Sequence, residues 1–209
     1  MKRARAIVGV SDHAGYALFV TATREGVLID RRRVALLDDG VPVMPHHHDG
    51  QRLPIEEAVA LVARVRANAE RTAHARLEEL ARSLDTIELE GIALRADPAL
   101  PPTVAERIAD YRAMCVADWV MYRTALGDAA RARGWSVHRY EPKRVLDAAA
   151  RALGRSSIDG LLLDAGRAVG PPWTKEHRLA MAAAIAVSAS VVGTSKRAAR
   201  EPSRRRAGT

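Results

Sequence analysis

The chain has 209 residues, 48% of them hydrophobic and 28% charged, the balance of a soluble globular domain. No apolar run approaches the roughly 20 residues that cross a bilayer, and the apolar residues 7–10 give way too soon to Asp12 and His13 for a signal peptide. A lone cysteine, Cys115, excludes an internal disulfide and an all-cysteine metal cage. The expectation is a soluble, cytoplasmic protein with no membrane partner. The net charge of +8 sits at the ends: residues 1–5 contribute +3 and residues 196–209 contribute +5, so residues 6–195 are neutral. An arginine-rich tail of this kind holds polyanions through counterion release, which makes Arg197, Arg200, Arg204, Arg205 and Arg206 candidate nucleic-acid contacts. The plain alternative is a solubilising end.

Three strands are expected first, around residues 7–10, 16–23 and 27–37, separated by Gly15 and by the turn Arg24-Glu25-Gly26. Residues 38–52 are irregular, punctuated by Pro42, Pro45 and Gly50. Pro54 opens a helix whose stripe runs from Val59 to Leu84, and residues 86–94 then alternate as a strand. Thr103, with Glu106 three residues on, has capping-box spacing and begins a helix that Gly134 stops. A short strand at 137–140 and a helix from Pro142 to about Leu153 follow. Residues 155–172 read as a loop with an apolar centre, and Thr174 starts an alanine-rich helix to about Val192. The organisation is one domain, residues 1–193, with a disordered basic tail at 194–209, where few apolar side chains offset ordering entropy.

A meander followed by alternating helix and strand gives an α/β fold: a mixed five-stranded sheet with flanking helices, its strands at 7–10, 86–94 and 137–140 parallel. Order alone leaves many α/β topologies open. The residues narrow them. The run Gly9-Val10-Ser11-Asp12-His13-Ala14-Gly15-Tyr16-Ala17 resembles the first hairpin of the ribonuclease H-like superfamily, particularly its Holliday-junction resolvase-like branch. There, a Gly-x-Asp strand turns through small residues into a second strand. Here Ser11 intervenes and the aspartate is offset by one residue. Residues 135–145 look like that branch's fifth strand and the entry to its fourth helix, so the likeness spans about residues 6–190.

The resemblance implies a nucleic-acid partner, compatible with a homodimer, and carboxylates that hold two Mg²⁺ or Mn²⁺ ions for phosphodiester hydrolysis. By position it implies Asp12, Glu90 and His177 as catalytic residues, with Glu88 and Glu176 as further metal ligands. The expected geometry gathers Asp12, the Glu88/Glu90 pair and His177 in one pocket at the centre of the sheet. The last helix lacks the pair of aspartates three apart that the resolvases use. Two readings therefore stand: a metal-dependent nuclease or resolvase-like hydrolase, and a non-catalytic ribonuclease H-like module for nucleic-acid binding or assembly.

Each candidate has a plainer reading. Asp12 can accept hydrogen bonds from its turn, Glu88 and Glu90 can form a solvated strand face, and His177 can be a packed histidine. The run His46-His47-His48-Asp49 suggests a metal cluster, but consecutive extended residues alternate in direction, so at most two of them meet one ion; a solvated loop is the expectation. Asp118 reads as a paired structural acid and Cys115 as an inert core thiol. The aromatic residues, 4% of the chain, are too scattered to suggest a base-stacking platform.

Overall fold

The computed structural model describes residues 3–198, with side chains to residue 188. Five strands form one mixed sheet: β1 (Ala4–His13), β2 (Tyr16–Thr23), β3 (Leu28–Ala35), β4 (Ile87–Arg95) and β5 (Ser136–Tyr140). Their order is β3-β2-β1-β4-β5, antiparallel through the first three strands and parallel from β1 to β4 to β5. This is the expected topology. β1 is central and apolar on both faces because both are covered.

Among the described residues six α-helices complete three layers: α1 (Ile55–Ser83), α2 (Val104–Ala109), α3 (Tyr111–Ala132), α4 (Val145–Ala152), α5 (Asp159–Val169) and α6 (Lys175–Ala198). Val8, Val10, Phe19, Ile92 and Leu94 pack with α1 and α3 on one face of the sheet. Ile7, Val20, Ala22, Ala93 and Tyr140 pack with α4, α5 and α6 on the other. The strand period of two sorts each strand's residues between these cores. Among the described residues no helix is long and apolar enough to cross a membrane.

The structure corrects several element boundaries. The helix expected from Thr103 to Gly134 is two helices, because Asp110 is extended and its carboxylate caps α3 by accepting from the Ala113 amide. Thr103 and Glu106 do form the capping box. Residues 155–172, expected as loop, contain α5, which buries Leu162, with its N-cap residue Ile158 four positions earlier, against the α6 side. The irregular 38–52 segment holds a π-helical turn, Pro45–Asp49, and a 3₁₀ turn, Gly50–Arg52. α6 runs to Ala198, so Arg197 falls in its last turn; Arg200, Arg204, Arg205 and Arg206 lie outside the described residues.

Candidate functional site

Gly9 fixes how α6 crosses the sheet. A Cβ on Gly9 would lie 1.8 Å from the Ala180 carbonyl oxygen, so only glycine permits this approach. Alternation then directs Ser11, two residues on, to the α6 face, and Asp12 to the face of α3. The resolvase pattern places its aspartate two residues after the glycine. In this chain that position is Ser11, fully buried and with no hydrogen-bond partner for Oγ among the described residues. The one-residue offset therefore moves the carboxylate through the sheet.

Asp12 is 2% exposed and meets α3 rather than α6. Its Oδ2 accepts from Nε of Arg123 at 3.1 Å and from Nη2 at 3.0 Å. Arg123, itself buried, also donates through Nη1 to Asp97 at 2.8 Å and to the Ala96 carbonyl at 3.1 Å. Arg139 approaches the other oxygen of Asp97 at 2.8 Å. The result is a chain Asp12–Arg123–Asp97–Arg139, in which the guanidinium of Arg123 supplies the positive charge that a buried carboxylate needs. Sequence reasoning missed Arg123 and Asp97. The available signal was an arginine adjoining the apolar stripe of α3, next to Tyr122.

The remaining candidates do not gather around Asp12. Arg5 on β1 pairs in register with Glu88, and Glu90 falls at the irregularity between Leu89 and Gly91. Both glutamates bind Arg5, at 3.2 and 2.8 Å. Asp12 lies seven residues further along β1, roughly 20 Å away at strand rise. The glutamates thus occupy the opposite end of the sheet. His177 is buried on the α6 side, where its Nδ1 accepts from the Thr174 amide at 3.2 Å and its ring stacks on Trp173 with centroids 5.7 Å apart. Burial is the main cause that lowers its pKa, with the charge of Arg31 acting in the same direction. It is a neutral, packed histidine at the start of α6. Only Glu176, of the proposed acids, comes near the end of β1, where its charge acts on His13.

These residues do not fit a two-metal centre. Asp12 is engaged by a guanidinium, Ser11 offers only a hydroxyl on the α6 face, and Glu88 and Glu90 are at the far end. Among the described residues no group of three or more His, Cys, Asp or Glu side chains is arranged to hold a metal ion.

At this end of the sheet the α6 face carries Arg33 and Arg95 together with Glu176. Desolvation lowers the pKa of His13, opposed by Asp12 and Glu176 and assisted by Arg95 and Arg33. The Nε2 of His13 and Nε of Arg95 have no partner among the described residues. Tyr140 donates its hydroxyl to the Val10 carbonyl at 2.8 Å, and burial pushes that hydroxyl up to about 12.

The histidine turn is more ordered than a solvated loop. Asp118, buried on α3, accepts the amides of His46 and His47 at 3.0 and 3.2 Å and approaches Nδ1 of His46 at 2.8 Å. It is a structural acid, as expected, paired with a buried histidine and two amides. His47 Nε2 lies 3.8 Å from the half-buried Sγ of Cys115. This cluster pins the 45–49 turn to α3.

The arrangement of elements is similar to a resolvase of known structure. Thermus thermophilus RuvC in complex with Holliday junction substrate superposes with a TM-score of 0.51 at 14% identity, over 90% of this chain and 96% of that one. The chain has a ribonuclease H-like fold. A second structure of that protein gives 0.48 at 15% identity, with the same coverage of both chains. No protein-family model and no curated protein matches the sequence.

Proposed function

We propose that this protein is a nucleic-acid-binding ribonuclease H-like module that works without a two-metal hydrolytic centre. The observation that carries this reading is the ion pair of Asp12 with Arg123, on the face of the sheet away from α6. A guanidinium at 3.0 Å from Oδ2 supplies the charge opposite to the carboxylate, while Oδ1 is buried without a partner among the described residues. Nucleic acid as the partner is supported by the Holliday junction bound to the similar structure, by the net charge of +8 carried at the two ends of the sequence, and by the exposed Arg33 on the outermost strand.

The test is fluorescence anisotropy with labelled four-way junction, duplex and single-stranded DNA, in EDTA and in Mg²⁺ or Mn²⁺, with gel analysis of the same samples. Binding that survives EDTA and weakens linearly in log–log salt plots, with intact DNA in every lane, is the expected result. Cleavage in Mn²⁺ that disappears in Asp12→Asn would overturn the non-catalytic reading in favour of the nuclease. Absence of binding to all three probes would remove nucleic acid as the partner.

A further inference from the structure

We propose that His13, Tyr16 and Arg33 form a stacking platform for an unpaired nucleobase; this rests on the nucleic-acid reading above. The three residues are brought together by the first hairpin and the strand beside it. His13 and Tyr16 are the last register pair of β1 and β2, closed by a turn whose Gly15 has φ of +77°. Directly opposed side chains on one face of an antiparallel pair are the closest in a sheet, and their rings stack with centroids 4.5 Å apart and planes within 4°. Arg33 pairs with Leu18 and is therefore the diagonal neighbour of Tyr16 on the same face. Its guanidinium carbon lies 3.9 Å from the Tyr16 ring centroid. Because β2 lies between β1 and β3, the three flat groups succeed one another across the sheet, ending at the edge strand.

That end is open. Arg33 is exposed, and among the described residues it has no carboxylate partner. Its neighbours are committed elsewhere: Arg32 binds Asp30 through two nitrogens, and Arg31 donates to the Gly170 and Pro172 carbonyls. A planar cation 3.9 Å above an aromatic ring, exposed on its other side, leaves that side available for a second planar group. Bases that are not in a duplex stack on aromatic and guanidinium planes, whereas paired bases have no free face to offer. The ladder therefore selects single-stranded or unpaired segments, and the charge of Arg33 favours the adjoining phosphates.

The test uses single-stranded oligonucleotides carrying 2-aminopurine, whose emission is quenched on stacking, with a duplex of the same sequence as control. Wild type is expected to quench the unpaired probe and to bind it more tightly than duplex. Arg33→Lys keeps the charge but loses the plane. It should lose the quenching and bind single strand about five- to tenfold more weakly, with duplex affinity and salt slope unchanged. Arg33 is exposed, so this variant folds as wild type does; circular dichroism checks it. Quenching retained in Arg33→Lys, or equal loss on duplex and single strand, overturns the platform while leaving nucleic-acid binding intact. A wild type that binds neither probe overturns the underlying reading instead.

Discussion

Ser11 and Asp12 are neighbours on the central strand and lie on opposite faces of it: Ser11 under α6 with an unpartnered hydroxyl, Asp12 against α3 with its Oδ2 3.0 Å from a nitrogen of Arg123. A strand has no intermediate position, so moving a carboxylate by one residue exchanges one set of neighbours for another. The α6 side is left with the Ser11 hydroxyl, and the α3 side acquires a buried ion pair.

The ion pair has a stability consequence. Asp12 and Arg123 have side-chain exposures of 0% and 5%, so removing the arginine strands a buried carboxylate. Arg123→Ala should lower unfolding stability by about 3–5 kcal/mol. Adding Asp12→Ala to it should restore part of that loss. Urea unfolding of the single and double variants measures the coupling, and strictly additive losses would contradict it.

Gly9→Ala should be among the most damaging single-methyl additions in the protein. The new Cβ meets backbone of α6, which has no rotamer by which to yield. A loss of about 3 kcal/mol is expected in denaturant unfolding. A loss below about 1 kcal/mol would mean that α6 is not seated on β1 as described.

Stability should fall on acidification. Desolvation leads the causes that lower the pKa values of His13, His138 and His177 below the usual 6.5. As pH drops through that value the unfolded chain takes up protons that the folded one resists, so stability is full above it and declines below. Thermal melts from pH 7.5 to 5 should show a falling Tm, with a shallower decline in His177→Gln. A Tm that is flat or rises toward pH 5 would contradict a buried His177 and half-buried His13 and His138 that resist protonation.

Asp118→Ala should unpin the histidine turn. It leaves the His46 and His47 amides and the His46 ring without their acceptor. A cost on the order of 2–4 kcal/mol is expected, with hydrogen exchange quickened at those two amides. Unchanged exchange there would show that Asp118 does not hold the turn.

The sheet was legible because alternation, turn glycines and element order agree from residue 4 to 140. The long helices announced themselves by their apolar stripes. α5 was not legible: its segment opens with Ser156 and Ser157 and carries Gly160 and Gly166, so the apolar run Leu161 to Leu163 reads as the centre of a loop until Ile158 and Leu162 pack on the α6 side. The site was half legible. The offset of Asp12 from Gly9 is visible in the sequence, and the strand period applied to it already separates Asp12 from α6. Glu88 and Glu90 were placed on the right strand, but their distance from Asp12 depends on the β1–β4 register, which no local pattern encodes. Arg123 was hidden because it arrives from a helix more than a hundred residues away. The stacking of His13 on Tyr16 follows from a hairpin register that composition does not reveal, and the aromatic count of 4% argued against it.

The most direct measurement is calorimetric titration of Mn²⁺ into wild type and Asp12→Asn, paired with thermal melts in EDTA and in Mn²⁺. With Arg123 already neutralising Asp12, no saturable heat and no rise in Tm is expected for either protein. Stoichiometric binding to wild type that Asp12→Asn abolishes would show that the carboxylate can leave Arg123 for a metal, and would contradict a module without a two-metal centre.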